Sequence, residues 1–569
     1  MERTEFLSIA RGDKPADLVL KGGTVIDVYA GKLQKADISI ANGVIVLVGS
    51  ALEAKETIDC SGHYLSPGFL DAHVHIESSL MTPFAFGNAI VPLGTTSAVA
   101  DPHEIANVAG VPGIEYMIRN ARSSPLSVFY KAPSCVPATP FGTAGATLEA
   151  EELLELMKHQ DVIGLGEMMN FPGLVFGDPG VMKKMDAFKD CHIDGHTPGQ
   201  SGPLLQAYAA MGITTDHECM TRDEMEERIS LGMYILIREG SAAKNLHALL
   251  PAITPANAQR CAFCTDDRHP EEILSEGHIN YMVREAVAFG MDPIEAIRMA
   301  TLNGSVCFDL KDRGALAPGK RADILILPDL KSFVPFQVLV AGKVVAEQGR
   351  MIEECAPVEM AQLPDSFHLK TLDFDFSVSE QAGRLNVMET IPDQLLTHWR
   401  KEEPKVENGL IVADPERDIL KIAVVERHLG TGNIGVGFIR GFNLKKGAIA
   451  GSVGHDAHNI TVVGCDDVSM ASAVRRVCAM KGGLVACEGE TVLAECALPV
   501  GGLMSENSVY QIQEEMTGIL QAAKQMGSDL KDPFMTLSFM SLEVIPELKL
   551  TDQGLIDTQK MAFIDLVAP

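Results

Sequence analysis

The chain has 569 residues, 46% of them hydrophobic and 22% charged. That is an ordinary globular composition and excludes a disordered, collagenous or fibrous protein. Lys and Arg number 47 against 76 Asp and Glu, a formal charge of −29. A surface this acidic repels phosphate backbones and anionic lipid, so nucleic acid and membrane are not expected partners, while a small base in a pocket remains open.

The length allows about two to four domains and a core that needs no disulfides. Most of the twelve cysteines lie in apolar runs such as 262–264 and 477–479, the setting of free buried thiols in a reducing compartment. Cys261 and Cys264 lack the second pair that a zinc ribbon needs. The start, Met1-Glu2-Arg3-Thr4-Glu5, lacks the basic and apolar regions of a secretory signal. No apolar run reaches the roughly 18–20 residues of a membrane span. A cytoplasmic protein is expected.

Residues 17–65 carry short β-rich runs punctuated by Gly22-Gly23 and Asn42-Gly43. The same grammar returns at 322–328 and 337–345, which predicts one discontinuous β domain built from both stretches. Two unrelated ribbons are the alternative. Between them, strands are predicted to end near Asp71, Asp101, Val136, Met168, Gly195, Asp216, Arg238 and Thr265. Helical patterns fill the gaps at 104–120, 148–159, 202–211, 222–231 and 242–250. Eight strands with helices over residues 66–310 predict a (β/α)8 barrel; an open doubly wound sheet is the alternative. A Pro- and acid-rich stretch, Ala356 to Phe376, reads as a linker. Residues 370–569 read as a separate α+β domain, with a strand at 419–426 and a helix at 508–526.

His73 and His75 stand two apart at the first strand, so both project to one face and can reach one cation. Glu167, His196, His217 and Asp266 close the fourth, fifth, sixth and eighth predicted strands. In such a barrel all strand C-termini meet at one mouth. Four imidazoles and two carboxylates there predict a metal site. A donor set of nitrogen and oxygen without thiolate suits Zn(II), Fe(II) or Mn(II). The Glu167 carboxylate can bridge two cations that activate a water, and Asp266 is a candidate proton acceptor beside it.

Pro67-Gly-Phe-Leu-Asp-Ala-His73-Val-His75 resembles the first-strand signature of the amidohydrolase superfamily. The flanking β halves, with Asp323-Ile-Leu-Ile-Leu, are similar to its composite β-sandwich. More narrowly, the chain resembles the bacterial adenine deaminases. The strings that carry this are His75-Ile-Glu-Ser-Ser79, Asp101-Pro-His-Glu104, Gly166-Glu-Met-Met-Asn170, Gly195-His-Thr-Pro198, Asp216-His-Glu218, Ile237-Arg-Glu-Gly240, Cys264-Thr-Asp-Asp-Arg268, Gly454-His-Asp-Ala-His-Asn459 and Gly501-Gly-Leu-Met504.

The resemblance implies a composite sandwich at 1–65 plus 311–355, a catalytic barrel at 66–310 and a C-terminal α+β domain. It implies hydrolysis of adenine to hypoxanthine and ammonia at two divalent metal ions, Mn(II) or Fe(II) ahead of Zn(II). The ligands carried over are His73, His75, Glu167, His196, His217 and Asp266, with Asp267 the rival of Asp266. A purine base as substrate and a homodimer are the implied partners.

A proton donor of raised pKa must meet the purine ring, and Glu77, Asp101 and Glu239 are candidates beside Glu167. Asp101 and Glu104 equally suit an N-cap and capping box. Arg238 either orients the purine or neutralises Glu239. His455, Asp456 and His458 either close the pocket or form a polar turn of their own domain. Another amidohydrolase substrate is the main alternative. The H-x-E and P-C-x-x-C deaminase signature fails because Arg260, not proline, precedes Cys261. A metal-free scaffold would lack the ligands.

Overall fold

In the computed structural model, residues 2–352, 363–391 and 394–568 are described. Eight parallel strands form the centre: β1 (Phe69–Val74), β2 (Thr95–Ala100), β3 (Ser127–Ala132), β4 (Val162–Met168), β5 (His192–Gly195), β6 (Thr215–Asp216), β7 (Tyr234–Arg238) and β8 (Cys261–Cys264). β1 to β5 pair as one sheet and β6 to β8 as another. Parallel bridges Ile193↔Ile213 and Val74↔Asp266 join the two into a ring. The β-barrel reading therefore stands and the open sheet does not.

Two boundaries differ from expectation. β3 ends at Ala132 rather than near Val136, because Pro133 follows and has no N–H to continue the ladder. The helix expected over 242–250 shrinks to Leu246–Leu249. The chain first turns back through a bridge between Glu239 and Lys244, and the Glu239 carboxylate accepts the Leu246 N–H at 3.0 Å.

A seven-stranded sheet flanks the barrel. In it Ile324–Leu327 pairs antiparallel with Tyr64–Pro67, so residues from either side of the barrel share one sheet. It packs on a four-stranded sheet made from residues 16–59. Leu18, Ile38, Leu65, Ile324 and Leu339 fill the space between them, as alternation in half-buried strands dictates.

The C-terminal region is built on a nine-stranded, mostly antiparallel sheet from Arg384 to Ala568. The predicted strand appears as Leu420–Val425 and the predicted helix as Val509–Gln525. Ser508 and Gln511 start that helix with a capping box. Of the predicted linker, residues 356–362 lie outside the described residues; 363–376 have no regular secondary structure. The described cysteines are free, and no helix among the described residues is long and apolar enough to cross a membrane.

This region lies against the barrel mouth. Ser505 bridges to Met81, Glu543 accepts from Thr139 at 2.9 Å, and Asp552 accepts from the Thr143 N–H at 2.9 Å.

Candidate metal centre

Strand geometry sets the first two groups. His73 lies within β1 and His75 one residue beyond it, both buried. Their Nε2 atoms converge to 3.2 Å. His75 Nδ1 sits 2.9 Å from the Asp101 carbonyl oxygen. A carbonyl only accepts, so Nδ1 carries a proton there, and in the neutral ring the lone pair is on Nε2. That is the orientation a metal-binding imidazole needs.

Asp266 follows β8 in a left-handed conformation, φ 58°. Its N–H donates to the His73 carbonyl at 2.9 Å, and its own carbonyl accepts the His75 N–H at 3.1 Å. The backbone is thus clamped across the barrel seam, strain of the kind that collects at functional sites. Its Oδ1 lies 3.5 Å from His73 Nε2 and 3.1 Å from His75 Nε2. Asp267 has no such contact and instead accepts from Ser78 Oγ at 2.5 Å. Of the two rival carboxylates, the geometry brings Asp266 into the cluster.

Glu167, at the end of β4, stands between the histidines. Its Oε1 is 3.2 Å from His75 Nε2. Its Oε2 is 2.7 Å from His196 Nδ1 and 3.4 Å from His217 Nε2. All six residues predicted at the strand ends therefore come together, and all but His196 are fully buried. Three overlapping groups, His73-His75-Asp266, His73-Glu167-His217 and His75-His103-Glu167, have donor atoms close enough to hold a divalent cation.

Electrostatics follows from this crowding. Burial disfavours charge on Glu167, but His217 and His196 override it and hold the carboxyl well below its usual range. Burial likewise opposes ionisation of Asp266, and the Arg238 guanidinium leads the groups that keep it ionised. A compact set of carboxylate oxygens and imidazole nitrogens, with His73, His75 and His217 all presenting Nε2 to it, fits a divalent cation by donor chemistry.

Two residues escaped the sequence reading. His103 Nδ1 lies 3.6 Å from Glu167 Oε1. Glu218 is 3.4 Å from His217 and 3.6 Å from His196. Both stood in quoted motifs, Asp101-Pro-His-Glu104 and Asp216-His-Glu218; adjacency to a strand-end acid or histidine was the available signal.

Other expectations are corrected. Arg238 does not neutralise Glu239: it forks onto Glu218 at 2.5 and 3.0 Å and reaches Asp266 at 2.9 Å. Glu239 points elsewhere, to the Leu246 N–H. No Asp101/Glu104 capping box forms at α1 (His103–Ala121), whose N-cap is Pro102. Asp101 accepts the Glu167 N–H at 2.8 Å, and Glu77 accepts the Ile105 N–H at 3.1 Å. Glu104 meets the C-terminal region: His455 Nδ1 lies 2.6 Å from its Oε1, and His458 contacts its Oε2. The turn at 454–459 therefore closes over the barrel mouth, beyond its own domain.

A parallel ring with His and carboxylate donors at its strand ends is the architecture of a metal-dependent amidohydrolase. Residues 64–345 match the amidohydrolase family and residues 394–562 the adenine deaminase C-terminal domain. Among its relatives, an adenine deaminase of Desulfatibacillum aliphaticivorans is 47% identical over 99% of both chains. Adenine deaminase 2 of Carboxydothermus hydrogenoformans is 45% identical over 98% of both. A solved structure described as an adenine deaminase overlaps 58% of this chain and 99% of its own, at 18% identity and a TM-score of 0.45. The chain belongs to the adenine deaminase family.

Proposed function

We propose that this protein hydrolyses adenine to hypoxanthine and ammonia. The observation that carries this is the meeting of His73, His75, Glu167, His196, His217 and Asp266 in one buried cluster, in a chain of this family. These six residues would hold two divalent ions, Mn(II) or Fe(II) in preference to Zn(II), with Glu167 shared between them. Such ions, when bound, lower the pKa of water and stabilise developing negative charge.

The chain's own groups handle the protons. The reaction forms a bond from water oxygen to C6 and breaks the C6–N bond. A proton must leave the water, and one must reach the departing amine. Asp266 suits this transfer, since Arg238 orients its carboxylate from the far oxygen. Charge that flows onto the purine ring needs a donor at a ring nitrogen. Glu77 suits that role. Burial pushes its carboxyl up to about 7, and its buried Oε2 has no protein partner. Asp101 is committed through one oxygen to the Glu167 backbone, and it fixes His75 through its own carbonyl. That positions ligands rather than substrate.

The test is adenine turnover by metal-free protein titrated with Mn(II), following hypoxanthine and ammonia together. Activity that rises until about two ions per chain are bound supports the reading. Saturation at one ion removes the shared role of Glu167. Two ions bound with no adenine turnover assigns the barrel to another heterocycle.

A further inference from the structure

The ring of strands has two seams where its two sheets meet, β8 against β1 and β5 against β6. Each seam carries part of the candidate metal centre. His73, His75 and Asp266 stand at the first, His196 and His217 at the second. Donors split across a seam keep their geometry only if the two strands are tied at the mouth. At the first seam the backbone does this, since Asp266 bonds the backbone of both His73 and His75. The buried Asp71 carboxylate adds the Thr265 N–H at 3.0 Å.

The second seam is tied differently. Its bridge, Ile193↔Ile213, and the bond from the Thr214 N–H to the Ile193 carbonyl at 3.0 Å lie below the histidines. Nearer the mouth the described ties are made by side chains, centred on Arg228. This residue belongs to the helix Arg222–Ser230, between β6 and β7, and is fully buried. Its Nη2 donates to the Thr197 carbonyl at 2.6 Å and the Gln200 carbonyl at 3.1 Å. Its Nε donates to Asp216 Oδ2 at 3.1 Å, and its Nη1 to the Glu224 carbonyl at 3.2 Å. The Thr197 hydroxyl also donates to Asp216, whose other oxygen accepts the Glu218 N–H at 2.7 Å. Thr197 directly follows His196, and Asp216 directly precedes His217. One guanidinium therefore fixes the chain beside each histidine, from two strands at once. A rigid fork of donors can do this and a single ammonium cannot. A charge so far from water is costly unless its donors are used, and all three nitrogens are.

We infer that Arg228 is a positioning residue for the His196 and His217 half of the metal centre, acting through Thr197 and Asp216, and that it does not act on the His73, His75 and Asp266 half. This rests on the two-ion reading above and deepens it. The two halves are held by separate devices at separate seams, so they can be weakened one at a time.

The test titrates the full-length, metal-free protein with Mn(II), counting bound ions after dialysis and reading each affinity by competition with a chelating dye. Arg228→Lys keeps the charge beside Asp216 but loses the fork; Thr197→Val removes one hydroxyl. Arg228→Lys should weaken binding of one ion by about tenfold or more and leave the other within about threefold of the parent. Thr197→Val should weaken the same ion by about threefold or more, and it decides the question if Arg228→Lys does not fold. In a His196→Ala background, Arg228→Lys should cause no further loss of affinity, because the two act as one unit. Equal weakening of both ions, parental affinity for both, or a full additional loss in the His196→Ala background overturns the assignment. A parent that binds a single ion overturns the two-ion reading. The cycle with His196→Ala then decides Arg228 by itself, coupled losses upholding its role and additive losses overturning it.

Discussion

Two histidine–carboxylate clusters stand side by side at the barrel mouth, and by spacing alone either could hold a cation. One is His73, His75 and Asp266; the other is Glu104, His455 and His458. Their hydrogen bonds separate them. His75 Nδ1 faces a carbonyl oxygen, so the neutral ring has its lone pair on Nε2, toward the cluster. His458 Nδ1 instead accepts the Gly454 N–H at 3.2 Å, so the neutral ring carries its proton on Nε2 and donates it to Glu104. The second cluster is satisfied without a cation. It is a latch between barrel and C-terminal region, whereas the first offers donor atoms that could hold a cation. Which nitrogen the backbone engages decides what an imidazole can do.

The largest effect should come from the first cluster. His73→Ala should abolish tight metal binding and lower adenine turnover by on the order of 10³-fold, about 4 kcal/mol of transition-state stabilisation. Metal analysis after dialysis and steady-state rates check this; a variant that keeps both would remove His73 from the ligand set. Glu104→Ala should instead leave metal content near the parental value and destabilise the fold by roughly 2–3 kcal/mol. It strips charged hydrogen-bond partners from two buried rings. Denaturant melts read that loss, and a loss of metal in this variant would erase the distinction between the clusters.

A supporting residue should fall between. Asp101→Ala removes the acceptor of the Glu167 N–H and should weaken metal affinity by about 10–100-fold, measured by competition with a chelating dye.

The latch also predicts a pH dependence. Burial opposes charge on His455, but Glu104 overrides it and raises the imidazole from 6.5 to about 9. The folded state therefore binds this proton more tightly than the unfolded chain. Its contribution is complete below about 6.5 and is lost as pH rises through 9. The melting-temperature gap between parent and His455→Asn should be widest near pH 6 and should close by pH 9.5. A gap that stays constant would mean His455 contributes only packing. The smallest change belongs to the exposed rim. Lys531 pairs with Glu272 at 2.9 Å across the junction but is 61% exposed. Lys531→Ala should cost no more than about 0.5 kcal/mol.

Legibility in the sequence followed distance along the chain. Each of the six predicted donors, His73, His75, Glu167, His196, His217 and Asp266, lies within two residues of a strand end, so the strand-end rule could group them without coordinates. The same rule could have caught His103 and Glu218, but each neighbours a residue already assigned, and adjacency hid them. Of the two roles read for Arg238, neutralising Glu239 fails for a related reason. In a strand, neighbouring side chains leave opposite faces, so Arg238 turns to Glu218 and Asp266 while Glu239 turns to the Leu246 N–H. The Asp101/Glu104 capping box failed because Glu77, 28 residues upstream of Ile105, supplies the cap.

The sequence by itself determined the barrel pattern and which histidines and carboxylates stand at its strand ends, because period-2 alternation and strand-end placement are local rules; the family was carried by the resemblance of its motifs. Only the tertiary structure decided that Glu104 belongs to the C-terminal region's histidines, more than 350 residues away. It also decided that Asp266 rather than Asp267 turns inward, and that His458 needs no metal. Those outcomes depend on which backbone N–H or carbonyl faces a given side-chain atom. That is fixed by packing across the domain junction, and no local pattern encodes it.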